Sequence, residues 1–375
     1  MKTDYSFNSR QLFALAAVFF LAPALRLVPS STAATAGRAA WFSVILALPL
    51  LLAYAWFLAR FLDCRREEES MAQLILRALG PVPGKTALGL FSFWFLLYGG
   101  FMLRSGADRI IVTIYPNSSA GAFVLPMGIV GLLAALGAGR TLVRASKMLL
   151  PVVIGGLILV LLFASFSISR ANLLPLTIFQ APETILASLA TVDVVVLPLY
   201  FCLFLPRLKS GGESLFRSIS LWMLSVVLLL FWLNTDIIGC FGAELTGKLS
   251  QPFFVLVRNL VFFRSVERVE ALVVSLWIFS DFALISCCLY CAQHTLRLII
   301  GRDGLYRGEK RLNFSDGRWL IWLCAAISIL CAMLIAPDPP GFHFWSGTLI
   351  PIANLCVAFV LLPAIYLIGK KKKTL

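Results

Sequence analysis

Apolar segments long enough to cross a lipid bilayer occupy almost the whole of this sequence. A spanning helix needs about 20 mostly apolar residues. Backbone in lipid must satisfy its own hydrogen bonds, which restricts spanning structures to helices and closed barrels, and these segments lack the two-residue alternation of barrel strands. The sequence therefore predicts an all-α integral membrane protein with ten transmembrane helices, near residues 11–29, 40–62, 86–114, 120–138, 148–167, 184–205, 215–240, 269–300, 318–336 and 346–368.

Short connections join these segments, so we predict a single multi-pass transmembrane domain over residues 1–375. Hydrophobic residues make up 60% of the chain and charged residues 13%, and a soluble protein of this length could not bury that much apolar surface. The connection 67–80 has apolar residues at helical spacing, which predicts a short cytoplasmic helix at the membrane interface that ends at Gly80. Function must then depend on the few polar groups at membrane depth.

The positive charge of the chain is distributed unevenly. The formal net charge is +14, and most Lys and Arg residues fall on one side when the N-terminus is placed in the cytoplasm. An even number of spans returns the Lys370–Lys373 run to that side, where it can also contact anionic lipid headgroups. The asymmetry follows the positive-inside rule, so we expect both termini in the cytoplasm and no nucleic-acid partner.

Residues that carry enzyme and metal chemistry are sparse. The only histidines are His294 and His343, so no metal-ligand cluster is expected. Cys288 and Cys291 form a C-x-x-C pair inside a predicted span, and we interpret them as small buried hydrophobic side chains. We find no nucleotide-binding glycine pattern and no catalytic triad. We therefore expect neither an enzyme nor a bound cofactor.

Two predicted spans contain residues that interrupt helices. Pro23 lies inside the first apolar run, and both Asp193 and Pro198 lie inside the sixth. First and sixth spans are corresponding members of two five-helix halves, as in inverted-repeat transporters, whose half-helix ends bind ligands at the bilayer midplane. We predict a five-plus-five inverted repeat of the LeuT type, over about 11–167 and 184–368, with broken helices 1 and 6 around a mid-depth cavity. The alternative is a pair of ordinary proline kinks.

The predicted ligand site combines residues near the two interruptions with others from the third and eighth spans. Its members are Ala22, Pro23, Ala24, Leu25, Tyr98, Thr191, Asp193, Tyr200 and Asp281. Asp281 lies about 16 Å along its helix from Glu270, deep in the membrane. It is interpreted as a proton relay, an ion ligand or the partner of an arginine from another span.

Other charged residues are assigned structural positions. Arg104 and Asp108 stand four residues apart on one helical face, so they are predicted to form a salt bridge. We interpret this pair as a staple to a neighbouring span, because a charge that is already paired is less free to bind a ligand. Asp236 lies near the end of the seventh span and is expected at the interface.

Several motifs match one family in order and spacing. The most specific stretch runs from Gln251 to Phe282 and contains Glu267, Arg268, Glu270 and Trp277. Supporting matches are Gly37 to Ser43, Arg104 with Asp108, Asn172 to Pro175, and Leu203 to Pro206. On these motifs the chain resembles the B-subunit of spore germination nutrient receptors, the GerAB-type permeases of the amino acid–polyamine–organocation transporter superfamily.

The resemblance implies a fold, a location and partners. It implies ten helices in the inverted-repeat fold and residence in the inner membrane of a dormant endospore. It also implies a receptor A-subunit and a lipoprotein C-subunit as partners, with small nutrients such as amino acids as the signal.

The sequence departs from this family at both interruptions. Where the family often has Gly-Ala-Gly in the first helix, this chain has Ala22-Pro23-Ala24. Where the family often has Gly-x-Glu in the sixth, it has Pro198-Leu199-Tyr200. Either Asp193 replaces the missing acid, or the ligand is not an amino acid.

Three functions remain open from the sequence. The leading hypothesis is a receptor subunit that binds a small nutrient and triggers germination. The second is a proton- or sodium-coupled amino acid permease that uses Asp193 or Asp281. The third is a scaffold that binds no ligand and holds the other subunits together.

Overall fold

The computed structural model describes residues 9–66, 69–136, 139–174, 180–204, 215–260, 269–300, 318–335 and 339–372, with the backbone alone at 9–10, 139–142, 269–276, 318, 339–340 and 343. Within these ranges the regular structure is entirely helical, as predicted.

Helices follow one another with short connections. In chain order they are α1 Ser9–Ala36, α2 Ala40–Leu46, α3 Leu48–Asp63, α4 Met71–Leu79, α5 Pro81–Thr113, α6 Ala120–Leu136, α7 Gly139–Ser165, α8 Arg170–Leu173, α9 Ala181–Leu203, α10 Leu215–Phe241, α11 Ala243–Lys248, α12 Pro252–Asn259, α13 Val269–Ile300, α14 Arg318–Leu334, α15 Pro339–Phe344, α16 Ile350–Cys356 and α17 Leu362–Lys371. A 3₁₀ turn occupies Gly37–Ala39, and π-helical turns occupy Trp345–Leu349 and Val357–Leu361.

The helices are long and apolar enough for a multi-pass membrane protein. Seven stretches of the described chain could each cross a bilayer. One of them, the 53-residue Gln11–Asp63, contains the first two predicted spans, while Ala120–Leu136 and Trp319–Leu334 are shorter apolar helices. The membrane-spanning class is therefore confirmed, whereas the number of ten and the inverted repeat stay predictions.

The helix predicted within residues 67–80 is present as α4, while its position at the membrane interface stays a prediction. Ser70 caps it by accepting from the Gln73 backbone N–H, and the Gln73 side chain bonds back to the Ser70 backbone. Gly80 ends the helix at φ 94°, a left-handed conformation that favours glycine. Lys372 donates to the Leu79 carbonyl at 3.0 Å, so the C-terminal end of the chain lies beside α4.

Helices α1 and α9 form the centre of the bundle. Both are apolar around most of their circumference, which is typical of helices buried on all sides. They pack directly against each other, and α1 also packs on α7, α10 and α13. Residues 191–203 of α9 are all buried. The centre of the protein is thus a packed apolar core.

The prediction that helices 1 and 6 are broken is wrong. Pro23 lies inside the continuous α1, and Pro198 lies inside the continuous α9. A proline removes one N–H donor, and a neighbouring helix can satisfy the groups around it without unwinding a turn. In α1 the Ser280 hydroxyl does this: it accepts from the Ala22 backbone N–H at 3.2 Å and donates to the Val18 carbonyl at 2.5 Å. The two helices touch instead of parting around a cavity.

Candidate ligand-binding site

A buried ion pair joins α5 to α13. Arg109 Nη1 donates to Asp281 Oδ2 at 2.8 Å, and the two side chains are 2% and 1% exposed. This confirms that Asp281 is the partner of an arginine from another span. The Arg109 guanidinium also lies 5.1 Å from the centre of the Trp277 ring. Pairing lets both charges stay at membrane depth, where a single charge would be costly.

Several polar atoms in this ion pair and beside it have no hydrogen-bond partner among the described residues. Among the described residues, Arg109 Nε and Nη2, Asp281 Oδ1 and Trp277 Nε1 are buried without a hydrogen-bond partner. The Nε–Nη2 edge of a guanidinium can hold a carboxylate through two parallel hydrogen bonds, and a free carboxylate oxygen accepts from an ammonium group. Buried polar atoms normally have partners, so this set is suited to a small ligand that carries both charges.

A cavity of about 320 Å³ lies at the end of α5 that is remote from α4. It reaches the protein surface at Val112 and Ser250, both exposed. Its lining residues come from α1, α5, the loop between α5 and α6, α6, α15 and the chain just before α12. They are Arg26, Arg104, Asp108, Ile111, Val112, Ser118, Ala120, Ser250, Gln251 and Phe342. We call this cavity the vestibule.

Arg26 supplies the vestibule with positive charge. Its guanidinium donates to the Ser105 hydroxyl and lies 4.6 Å from the centre of the Phe342 ring. In the part of the chain that the structure describes, Arg26 forms no salt bridge. Ser105 lies one helical turn before Arg109, so the vestibule and the buried ion pair are neighbours on α5.

The predicted Arg104–Asp108 salt bridge is confirmed. Arg104 Nε lies 3.1 Å from Asp108 Oδ1, and both side chains are partly exposed. The pair joins two residues of α5 and lines the vestibule. Its interpretation as a staple to a neighbouring span stays a prediction, and Asp108 also interacts electrostatically with Arg26 on α1.

The residues predicted to bind the ligand fall into separate groups. Ala22, Pro23 and Ala24 are buried on α1. Leu25 and Trp277 line a second, apolar cavity with Leu21 and Phe253. Tyr98 packs against the rings of Phe101 and Phe201, and the buried Thr191 hydroxyl has no partner among the described residues. Asp193 and Tyr200 bond to Asn354, on the last span. Only Asp281 belongs to the Arg109 site.

The structure describes the remaining motif residues only in part. Glu267 and Arg268 lie outside the described residues, and Glu270 is described only as backbone in the first turn of α13. Asp236, expected at the interface, is fully buried and accepts from the Ser165 hydroxyl at 3.0 Å.

Sequence reasoning missed Arg26 and Arg109 as site residues. The available signal was their charge inside spans, but their pairing across helices could not be derived from spacing.

Comparison with known proteins identifies the family. The sequence profile of a family described as spore germination protein matches residues 6–338. The chain belongs to this spore germination protein family. One relative, YfkT of Bacillus subtilis (strain 168), is named as a spore germination protein and is 24% identical over 371 residues, which cover 95% of this chain and 94% of YfkT.

Solved structures of transporters share the fold of this spore germination family member. Mhp1, a nucleobase-cation-symport-1 family transporter solved in a closed conformation with bromovinylhydantoin, superposes with a TM-score of 0.63 at 10% identity, over 97% of this chain and 79% of Mhp1. A Na⁺-coupled sialic acid symporter in a substrate-bound outward-open state gives 0.60 at 12% identity, over 93% and 79%. At such identities the likeness shows the fold alone. The chain is thus a transporter-like, multi-pass germination protein.

Proposed function

We propose that this protein is the nutrient-binding membrane subunit of a spore germination receptor, resident in the spore inner membrane with both termini in the cytoplasm. The observation that supports this most directly is the buried Arg109–Asp281 pair, which keeps a guanidinium edge and a carboxylate oxygen unpartnered among the described residues. The pair lies one helical turn along α5 from Ser105, which bonds to Arg26 of the vestibule. The ligand that matches these groups is a small zwitterion such as an amino acid.

The vestibule provides the entry route in this proposal. With the termini in the cytoplasm, the vestibule opens to the outside of the inner membrane. Arg104 and Asp108 neutralise each other, so the charge of Arg26 gives the vestibule a net positive charge that attracts the carboxylate of an arriving nutrient. The carboxylate then pairs with Arg109 and the ammonium group with Asp281.

Signalling requires that the ligand favour one arrangement of the bundle. A ligand shifts a conformational equilibrium only by its difference in affinity for the two states. We propose that an A-subunit and a lipoprotein C-subunit bind this chain and respond to that shift. Membrane lipid surrounds the rest of the bundle, and the exposed leucines and phenylalanines of its surface suit that environment.

A ligand-binding assay tests the proposal. The purified complex is heated with single amino acids, and with the matching amino-acid amides and amines that lack the carboxylate. A nutrient at about 100 times its Kd stabilises by about 2.7 kcal/mol, and we expect this only for intact zwitterions. The Lys248→Ala variant, changed at an exposed residue, keeps the response. The proposal fails if no zwitterion stabilises the complex, and that result favours a scaffold.

A second candidate function is a proton- or sodium-coupled amino acid permease. Its support is the fold that the chain shares with two symporters. Uptake of radiolabelled amino acids into proteoliposomes distinguishes the two functions. Concentrative uptake that is driven by an ion gradient, with this chain as the only protein, favours the permease.

A further inference from the structure

Asp193 differs from Asp281 and Asp108, the two acids of the bundle that are paired with arginine. Asp281 and Asp108 each have an arginine partner. Asp193 is only 5% exposed, yet within the described ranges it forms no salt bridge. A charged carboxylate at such a position is not neutralised by a counter-ion. This acid therefore needs a different explanation from the ion pairs.

A directed chain of hydrogen bonds ends at Asp193. The Trp94 indole N–H donates to the Tyr200 hydroxyl at 2.7 Å, and that hydroxyl donates to Asn354 Oδ1. Because the backbone oxygen of Asp193 can only accept, the amide nitrogen of Asn354 faces Asp193 and its oxygen faces the Tyr200 hydroxyl. Asn354 Nδ2 then donates to both the backbone oxygen and Oδ1 of Asp193, the first at 2.8 Å. Every donor in the chain thus points toward Asp193.

The titratable groups around Asp193 are phenols. Tyr98 on α5 and Tyr200 on α9 both interact with it electrostatically, and Tyr54 on α3 lies beside Tyr200. The hydroxyl of Tyr54 is buried without a partner among the described residues. On α1 the described charged side chain is Arg26, which is bonded to Ser105, and on α13 Asp281 is paired with Arg109. The sequence of α2 has no charged residue, and that of α16 has none either. Among the described residues, no cation forms a salt bridge with Asp193 in place of a proton.

The helix that carries Asn354 rests on the bundle along one narrow stripe. Between residues 346 and 362 the buried positions recur every fourth residue: Ser346, Ile350, Asn354, Ala358 and Leu362. An ideal α-helix has 3.6 residues per turn, so side chains spaced four residues apart would shift gradually around the helix and away from the bundle. The two π-helical turns, which are wider, keep the stripe in line. Each π-helical turn ends two residues before a proline, Pro351 or Pro363, whose ring would crowd a regular turn.

We propose that Asp193 is a proton-binding site and that its proton controls how firmly Asn354 holds the last span to α9. Ionised Asp193 accepts a charge-assisted hydrogen bond from Asn354, and such bonds are roughly twice as strong as neutral ones. A proton on the carboxylate weakens this bond. Segment 350–356, with a π-helical turn at each end, is then freer to rotate against α9.

Infrared difference spectroscopy tests the proton site. The wild-type protein in lipid nanodiscs is titrated between about pH 5 and about pH 9, a range that brackets most shifted carboxyl groups. We expect the carbonyl band of a protonated carboxylic acid to appear as the pH falls, and to be lost in Asp193→Asn. The same band remains in Asp236→Asn, which removes a buried acid whose described bond is to Ser165. A spectrum that Asp193→Asn leaves unchanged overturns the proposal.

The Asn354→Leu variant tests whether Asn354 stabilises the ionised form of Asp193. It removes the donor that favours the ionised carboxylate, so the titration midpoint should move to higher pH by about tenfold in proton concentration. A purely structural Asn354 would leave the midpoint unchanged. If Asp193→Asn fails to fold, the midpoint measured in Asn354→Leu still tests whether Asp193 binds the proton.

Distances between spin labels test the movement. Spin-labelled noncanonical amino acids replace Leu186 on α9 and Val360 in the second π-helical turn, both exposed on the protein surface. We expect the distance distribution to broaden at low pH in the wild type, and Asp193→Asn to show the broad distribution at every pH. Identical distributions across pH and variants overturn the link to the last span. These outcomes do not depend on nutrient binding, so they are independent of the proposed function.

Discussion

The Ser280 hydroxyl accepts a hydrogen bond from the backbone N–H of Ala22, one residue before Pro23. The same hydroxyl donates to the Val18 carbonyl, so a side chain of α13 is inserted into the hydrogen-bond ladder of α1. Side-chain insertion of this kind is one of the recognised causes of local bending in helices. The predicted break in the first span is thus replaced by a bridge from a neighbouring helix.

Removal of this bridge should destabilise the protein. In Ser280→Ala the buried Val18 carbonyl and Ala22 N–H lose their shared partner, and we expect a loss of about 1–3 kcal/mol in the free energy of unfolding. Thermal unfolding in lipid nanodiscs measures the change. The control is Ser225→Ala, since the described bond of Ser225 is to the Trp222 carbonyl of its own helix. Equal effects of the two substitutions would contradict the bridging role.

The Arg109–Asp281 pair should behave as a coupled unit. Arg109→Gln leaves Asp281 buried without its counter-ion, and removing one partner of a buried pair costs about 3–5 kcal/mol. The double variant Arg109→Gln with Asp281→Asn removes both charges and should recover most of that loss. A double-mutant cycle on unfolding free energies measures the coupling. Additive effects of the two substitutions would show that the pair contributes no specific stability.

Close packing of α5 on α14 depends on Gly100. A Cβ at this position would lie 2.6 Å from Cys331 Cβ and 2.7 Å from the Ser328 carbonyl oxygen, so the two helices would have to separate. We expect Gly100→Ala to cost about 1–3 kcal/mol, as overpacking does. Gly89 on the same helix has open space, and Gly89→Ala should be neutral or stabilising by up to about 1 kcal/mol. Thermal unfolding of both variants tests the contrast.

Arg26 should affect the rate of nutrient entry if the proposed function holds. Arg26→Gln removes the positive charge from the vestibule, so we expect a slower association rate and a weaker dependence of that rate on salt. Stopped-flow binding of the amino acid that stabilises the complex measures both quantities. The Lys248→Ala variant serves as control, because Lys248 is exposed and paired with Glu244. An unchanged salt dependence in Arg26→Gln would argue against this entry route.

Local signals in the sequence predicted some elements well. Apolar residues at helical spacing over 67–80 and the terminator Gly80 predicted α4, because both signals act within a few residues. Spacing along one helix predicted the Arg104–Asp108 salt bridge. The prolines were misread as breaks, since the sequence does not show which side chain of another helix lies beside Pro23.

The sequence by itself determined that this chain is a helical membrane protein, because lipid leaves long apolar segments no other way to satisfy their backbone. The sequence also identified the spore germination protein family, whose profile matches residues 6–338. Only the tertiary structure decided that Arg109 pairs with Asp281, 172 residues away, and that Asn354 bonds to Asp193, 161 residues away. Such pairs depend on how separate helices pack, and composition and spacing along a single helix contain no record of that packing.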